Sequence, residues 1–252
     1  MDCQRKTFNL YLIFLQLLFS HLAQAELSGF TAKYEIYSLS ITQATVTNTL
    51  SLVDNNYNYD SLIVPVGWIA FINDAYRHEY SQGLIKNNQL FPLKYAYQHS
   101  ERLKDNREIE ITFDHTKNKI SNFHKHINNK WKMNSVDQVQ DRLSSQLALM
   151  LALQQSNIPL SYPPQNEIYF NFSIADGGRL KQYSFAIISE EKLPTPLGIL
   201  NTIKLEHRRS NQDDVMIIWC AEEFAYLPVK ILQQQTGLPD YISIIKSYEK
   251  AN

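Results

Sequence analysis

The 252-residue chain carries 24 Lys and Arg against 25 Asp and Glu, a formal charge of −1, with 44% hydrophobic and 12% aromatic residues. With no basic excess to hold a phosphate backbone by counterion release, nucleic acid is excluded as an expected partner. Two cysteines, Cys3 and Cys220, are too few for a disulfide framework, and a chain of this length can bury a sizeable core without one.

Arg5 and Lys6 open the chain with a basic region, and Leu10–Phe19 follows as an apolar stretch broken only by Gln16. Small residues flank the end of "AQA", Ala23–Ala25. This three-part pattern predicts a secretory signal peptide over residues 1–25, removed after Ala25. Ten apolar residues are short of the roughly 20 that span a bilayer, which speaks against an N-terminal anchor. No Cys follows the small residues, so lipid anchoring is not expected. The mature chain, 26–252, is expected to be a single β-rich domain. It holds 22 basic and 24 acidic residues, a formal charge of −2, and one cysteine. Cys220 sits in "VMIIWCA" and reads as a buried, inert thiol.

From Phe30 the pattern is β. "FTAKYEIYSL" alternates Phe30, Ala32, Tyr34 and Ile36 with Thr31, Lys33 and Glu35, the period of a half-buried strand. Further strand-like runs follow to "NKISNFHKHI". The stretch "LIVPVGWIAFI", Leu62–Ile72, is apolar but broken by Pro65 and Gly67. Either it is a hydrophobic lid or membrane-touching loop carrying Trp68, or it is a buried strand, a bend and a short helix or strand. Asn87-Asn88 and "ADGG", Ala175–Gly178, are hairpin turns, because these residues tolerate positive φ. After a helix the strands resume and run to "YISIIKSYEK". Polar connections about every dozen residues suit antiparallel neighbours.

The helix is expected over about Val136–Ser156. Ser135 and Gln138 fit an S-x-x-Q capping box; Asn157 can close the C-terminus and Pro159 breaks it. About 21 residues would extend roughly 30 Å. Its second half contains Leu147–Leu153, seven apolar residues that face all ways and so need cover on every side. The expected fold is mainly β: an antiparallel curved sheet or incomplete barrel packed around this one long α-helix.

Motifs for catalysis are weak. There is no G-x-S-x-G, and Ser144 and Ser145 lie in the predicted helix. His124-x-His126, with His115 nearby, could present two imidazoles on one strand face, but lysines adjoin them and no Cys or carboxylate completes a ligand set. Glu108 and Glu110 share a face, a spacing ill suited to a glycosidase pair across a cleft. No Gly-rich phosphate loop is present. No catalytic residue, metal site or cofactor is expected.

Four pieces in order, "SQGLIKNNQLFPLKY" (Ser81–Tyr95), "VQDRLS" (Val139–Ser144), "LPTPLGILNTIKL" (Leu193–Leu205) and "WCAEEFAYLPVKI" (Trp219–Ile231), together with the signal peptide, resemble the bacterial family catalogued as domain of unknown function 3108. The resemblance implies a protein exported to the periplasm of a Gram-negative cell, with a largely antiparallel fold similar to the periplasmic lipoprotein carriers. It carries over no catalytic residues. Bottom-up, Pro196 and Gly198 suit a strand reversal, Pro228 a strand start, and Asp141 and Arg142 the polar side of the helix. A buried Arg–carboxylate latch there would need an acidic partner from elsewhere in the chain.

The leading reading is a non-enzymatic periplasmic protein that binds or shelters a hydrophobic ligand, a lipid or acyl chain, between sheet and helix. Trp68, Phe71, Leu147, Met150 and Leu151 are its candidate ligand-binding residues. The alternative is an interaction or scaffold protein of envelope assembly with a solid core and an envelope-protein partner. A hydrolase of envelope polymers stands third. No transmembrane segment is expected in the mature chain.

Overall fold

The computed structural model describes residues 26–72, 75–101, 104–156, 168–208 and 214–251. The predicted signal peptide, Asn157 and Pro159 lie outside them. The N-terminal half is a meander of eight strands: β1 (Phe30–Ser38), β2 (Ile41–Val53), β3 (Asn56–Pro65), β4 (Tyr76–Lys86), β5 (Gln89–Glu101), β6 (Lys104–Asp114), β7 (Lys119–His124) and β8 (Asn129–Asn134). A short helix α1 (Gly67–Ile72) interrupts it between β3 and β4. The two-residue β9 (Gln140–Asp141) leads into helix α2 (Ser144–Gln155). A second meander follows: β10 (Tyr169–Asp176), β11 (Arg179–Thr195), β12 (Gly198–Arg208), β13 (Val215–Ala221), β14 (Leu227–Gln234) and β15 (Tyr241–Lys250).

The two meanders join where β1 pairs with β15, giving one 15-stranded sheet in the order β8 to β1, then β15 down to β9. Each pairing is antiparallel except that of β9 with β10, which is parallel. The order is linear, so among the described residues the sheet does not close through a backbone ladder. One side chain bridges from its β8 end toward the other. Trp131 of β8 donates its indole N–H to the Gly178 carbonyl at 3.3 Å, in the turn between β10 and β11. Turn chemistry matches the sequence. Asn87 and Asn88 take φ of 51° and 58°, and Gly177 and Gly178 take 61° and 78°, the doubly positive φ of a tight hairpin. Thr195 pairs with Gly198 across Pro196-Leu197, and Pro228 sits second in β14.

The helix corrects the expectation. It spans 12 residues, about 18 Å, and not Val136–Ser156. Gln138 has φ of 51°, which a right-handed helix does not admit. Gln140 and Asp141 pair with Ile174 and Ala175 on the open edge of β10. The Asp141 carboxylate then accepts the backbone N–H groups of Leu143 (2.8 Å) and Ser144 (2.7 Å) and fixes the helix start there. Ser135 caps nothing; its hydroxyl donates to the Val136 carbonyl.

The apolar run is covered on two sides. Leu147, Met150 and Leu151 join a large cluster with Phe30, Leu50 and Tyr59. Leu149 and Leu153 join a second cluster with Phe185, Leu205 and Ile218. A helix wedged between two apolar surfaces needs no polar face, which explains "LALMLAL". Each buried Leu contributes about 1.5–3 kcal/mol. The flanking glutamines act as tethers: Gln146 accepts from the Tyr59 hydroxyl at 2.8 Å, and Gln154 donates to the Ala225 carbonyl at 3.2 Å.

Candidate functional site

Residues directly opposite on paired strands point to the same side of the sheet. The register therefore sets the interior of the N-terminal half in layers. Outermost are Ile36, Ala44 and Pro65; next come Tyr34, Val46, Ile63 and Arg77. Then come Ala32, Asn48, Ser61, Glu79 and Tyr97, and below them Phe30, Leu50, Tyr59, Ser81 and Tyr95. Going inward, the lining changes from apolar, through two layers that carry Arg77 and Glu79, to tight aromatic packing.

The outer layers bound an open cavity of about 480 Å³. Ile36, Ala44, Ile63, Pro65, Val215 and Met216 give it mainly apolar walls, interrupted by Arg77, His99, His207 and Asp214, and Gln233 and Tyr241 also line it. Below it lies an inner chamber of about 220 Å³ that shares Ile36, Ile63, Arg77, Gln233 and Tyr241 and reaches Asn48, Glu79, Arg142 and Gln146. The two form a funnel whose floor is the start of α2. A polar groove of about 670 Å³ lies elsewhere, lined by Glu190, Glu191, Lys192 and Glu222, and its charged walls suit water better than an apolar guest.

The floor is the "QDRLS" segment. Asp141 is fully buried, and its carboxylate accepts the Ser81 hydroxyl at 2.6 Å besides the two helix N–H groups. Ser81 in turn lies 3.1 Å from the Tyr57 hydroxyl. Burial pushes the Asp141 carboxyl up to about 6, against the hydrogen bonds that hold it down. Burial likewise raises the Tyr57 and Tyr95 phenols, so both stay protonated. Gly83 has no side chain because a Cβ there would stand 2.8 Å from the Tyr57 ring and 2.2 Å from the Phe91 carbonyl.

Arg142 points from this floor toward Glu79, with Nη2 3.7 Å from Oε1. Arg77 Nε approaches the same Oε1 at 3.4 Å, and the Tyr95 hydroxyl donates to Oε2 at 2.6 Å. Glu79 is thus the carboxylate of the latch whose partner the sequence left open. Asp141 and Arg142 do not lie on the polar side of a helix: they precede it, and Asp141 is sealed in the core.

The sequence-picked ligand residues are not brought together. Leu147, Met150 and Leu151 are 0–3% exposed and belong to the core cluster, away from the funnel walls, with Leu151 also bordering a small pocket of about 120 Å³ beside Leu90 and Phe172. Trp68 is 59% exposed on α1, whose flanking residues Pro65 and Ala75 both line the mouth. Leu62–Ile72 is therefore a strand end, a bend at Gly67 (φ 62°) and a short helix, with an exposed Trp68 at the rim. Phe71 lies in α1, and its side chain is outside the described residues. Sequence reading missed Arg77, Asn48 and Glu79. The signal that could have found them is polar residues at inward positions of otherwise apolar alternation.

The other candidates are dispersed. His115 bonds the Pro92 carbonyl at 2.6 Å between Phe91 and Phe113, away from His124 at the end of β7. Among the described residues no group of three His, Cys, Asp or Glu could hold a metal ion. Lys125 bridges Glu108 and Glu110 at 3.5 and 2.7 Å. Cys220 is fully buried, which pushes its thiol up. Among the described residues no helix is long and apolar enough to cross a membrane.

The family model described as "Protein of unknown function (DUF3108)" matches residues 33–236. No curated protein matches the chain. Among solved structures, the chain is similar to a beta-barrel-like protein of domain of unknown function DUF1849 from Brucella abortus. That likeness has a TM-score of 0.59 at 7% identity and covers 90% of this chain and 99% of that one. At such identity it bears on the fold alone.

Proposed function

The chain belongs to the DUF3108 family of proteins of unknown function, and from that premise we propose that it is a non-enzymatic protein that binds or shelters a hydrophobic ligand, a lipid or acyl chain. Its place of work would be the periplasm, reached through the signal-like residues 1–25. The observation that carries this reading is the mouth of about 480 Å³ with mainly apolar walls, within the roughly 300–1,000 Å³ range of small-molecule sites. The ligand would lie between the two meanders above the helix start. Leu147, Met150 and Leu151 line neither the mouth nor the inner chamber.

The protein, purified natively and extracted with organic solvent, should release lipid detectable by mass spectrometry. Ala44→Phe, which fills the mouth from a wall position paired with Pro65, should weaken binding of an apolar fluorescent probe and leave the circular dichroism spectrum intact. An empty extract together with no probe binding by the native protein would sink the proposal. The scaffold reading draws support from the packed surroundings of α2. It expects a crosslinked envelope protein and a solid core with no internal cavity, and the open mouth counts against that second expectation.

A further inference from the structure

The inner chamber is more highly charged than the mouth above it, whose charged lining residues are Asp214 and the shared Arg77. Its charged lining residues are Arg77, Glu79 and Arg142, two guanidiniums against one carboxylate. Asp141 lies beneath but is sealed and already accepts three hydrogen bonds. Asp176, on the far side of Arg142, is bound to Lys181 at 2.5 Å. The groups that face the chamber are thus two cations to one anion, while the Asp141 charge is turned away into its own hydrogen bonds beneath the floor.

Both guanidiniums reach open space, with side chains 41% (Arg77) and 39% (Arg142) exposed, and Arg142 has donors that no group among the described residues takes up. Among the described residues, Arg142 meets Glu79 only at 3.7 Å and the Tyr97 ring at 5.9 Å, neither of them a hydrogen bond. A guanidinium offers five donors in a planar fork suited to carboxylate or phosphate oxygens. A second observation marks the same place. Asn48 is 7% exposed, lines the chamber, and its Oδ1 has no hydrogen-bond partner among the described residues. That acceptor needs a donor, which a monoprotonated phosphate head supplies through its O–H and a carboxylate head supplies only through a bridging water.

Resting on the apolar-ligand reading, we propose that the ligand is a single-chain anionic amphipath: its carboxylate or phosphate head enters the inner chamber and is held by Arg142 and Arg77, and its tail lies in the apolar mouth. The funnel thereby selects by charge as well as by apolar area.

The test uses the purified, delipidated protein and a series with one C16 tail: hexadecanoate, hexadecyl phosphate, hexadecanol and hexadecyltrimethylammonium, each measured by displacement of an apolar fluorescent probe. The two anions should bind at least about tenfold tighter than the alcohol, as charge-assisted hydrogen bonds allow, and the cation weakest. Arg142→Gln should erase the preference by weakening the two anions far more than hexadecanol. If Arg142→Gln does not fold, Arg77→Gln, at the more open end of the chamber, decides by the same comparison. Equal binding of anion and alcohol by the wild type overturns the head-group assignment and leaves the apolar site standing. Acetate or inorganic phosphate alone binding as tightly as the C16 anions overturns the amphipath in favour of a free-anion site. Failure of every tail and of the probe removes the apolar-ligand reading itself and this inference with it.

Discussion

Asp141 makes the sharpest stability prediction. Its carboxyl is fully buried and pushed up to about 6 from an ordinary 3.8. An acid whose folded value is raised binds more protons folded than unfolded between these two pH values, so stability should fall as pH rises through that window and level off above it. About two units at 1.36 kcal/mol each give an upper figure of about 3 kcal/mol between pH 4 and 8. Asp141→Asn keeps an oxygen for the Leu143 and Ser144 N–H groups, and its amide can donate to Ser81 where the carboxylate accepted. It should be close to neutral at pH 4–5 and gain on the wild type as pH rises. Asp141→Ala removes the cap and strands Ser81 and two N–H groups, a loss of about 3–5 kcal/mol. The assay is urea denaturation of all three proteins from pH 4 to 8, reading the difference from wild type so that other titrating groups cancel. The reasoning is refuted if the Asn variant loses as much as the Ala variant, or if their pH profiles run parallel to the wild type's.

Three further outcomes follow from the same packing. Gly178→Ala should destabilise by about 2–4 kcal/mol, because φ is +78° and a Cβ would stand 2.3 Å from the Trp131 ring; Gly177→Asn, with open space around it, should change stability by less than about 1 kcal/mol, both read by chemical denaturation. Leu151→Asp should yield no folded protein by circular dichroism, since Leu151 is 3% exposed in the main cluster; a folded variant would mean that its surroundings are not packed. Cys220 should resist a thiol reagent in the native protein and react fully in denaturant, and fast native labelling would contradict its burial.

Much of the sheet was legible because its signals are local. Phe30, Ala32 and Tyr34 alternate with polar neighbours, and the same three are buried in β1. Asn87-Asn88 and Gly177-Gly178 announce their turns by tolerating positive φ. The helix boundary was not legible: residues 136–143 have helical spacing and an S-x-x-Q start, but the open edge of β10 and the Asp141 carboxylate offered competing hydrogen bonds. Likewise "LALMLAL" showed that it must be covered all round, not by what.

The sequence by itself determined a β-rich chain with its hairpin turns, one apolar helix and a buried Cys220, since periodicity, φ preference and hydrophobicity act over a few residues. Only the tertiary structure decided where that helix begins, that Ser81 bonds Asp141 across 60 residues of chain, and that Arg142 faces Glu79. It alone showed that the interior stays open over the "QDRLS" floor, because a cavity is set by the register of strands distant in sequence.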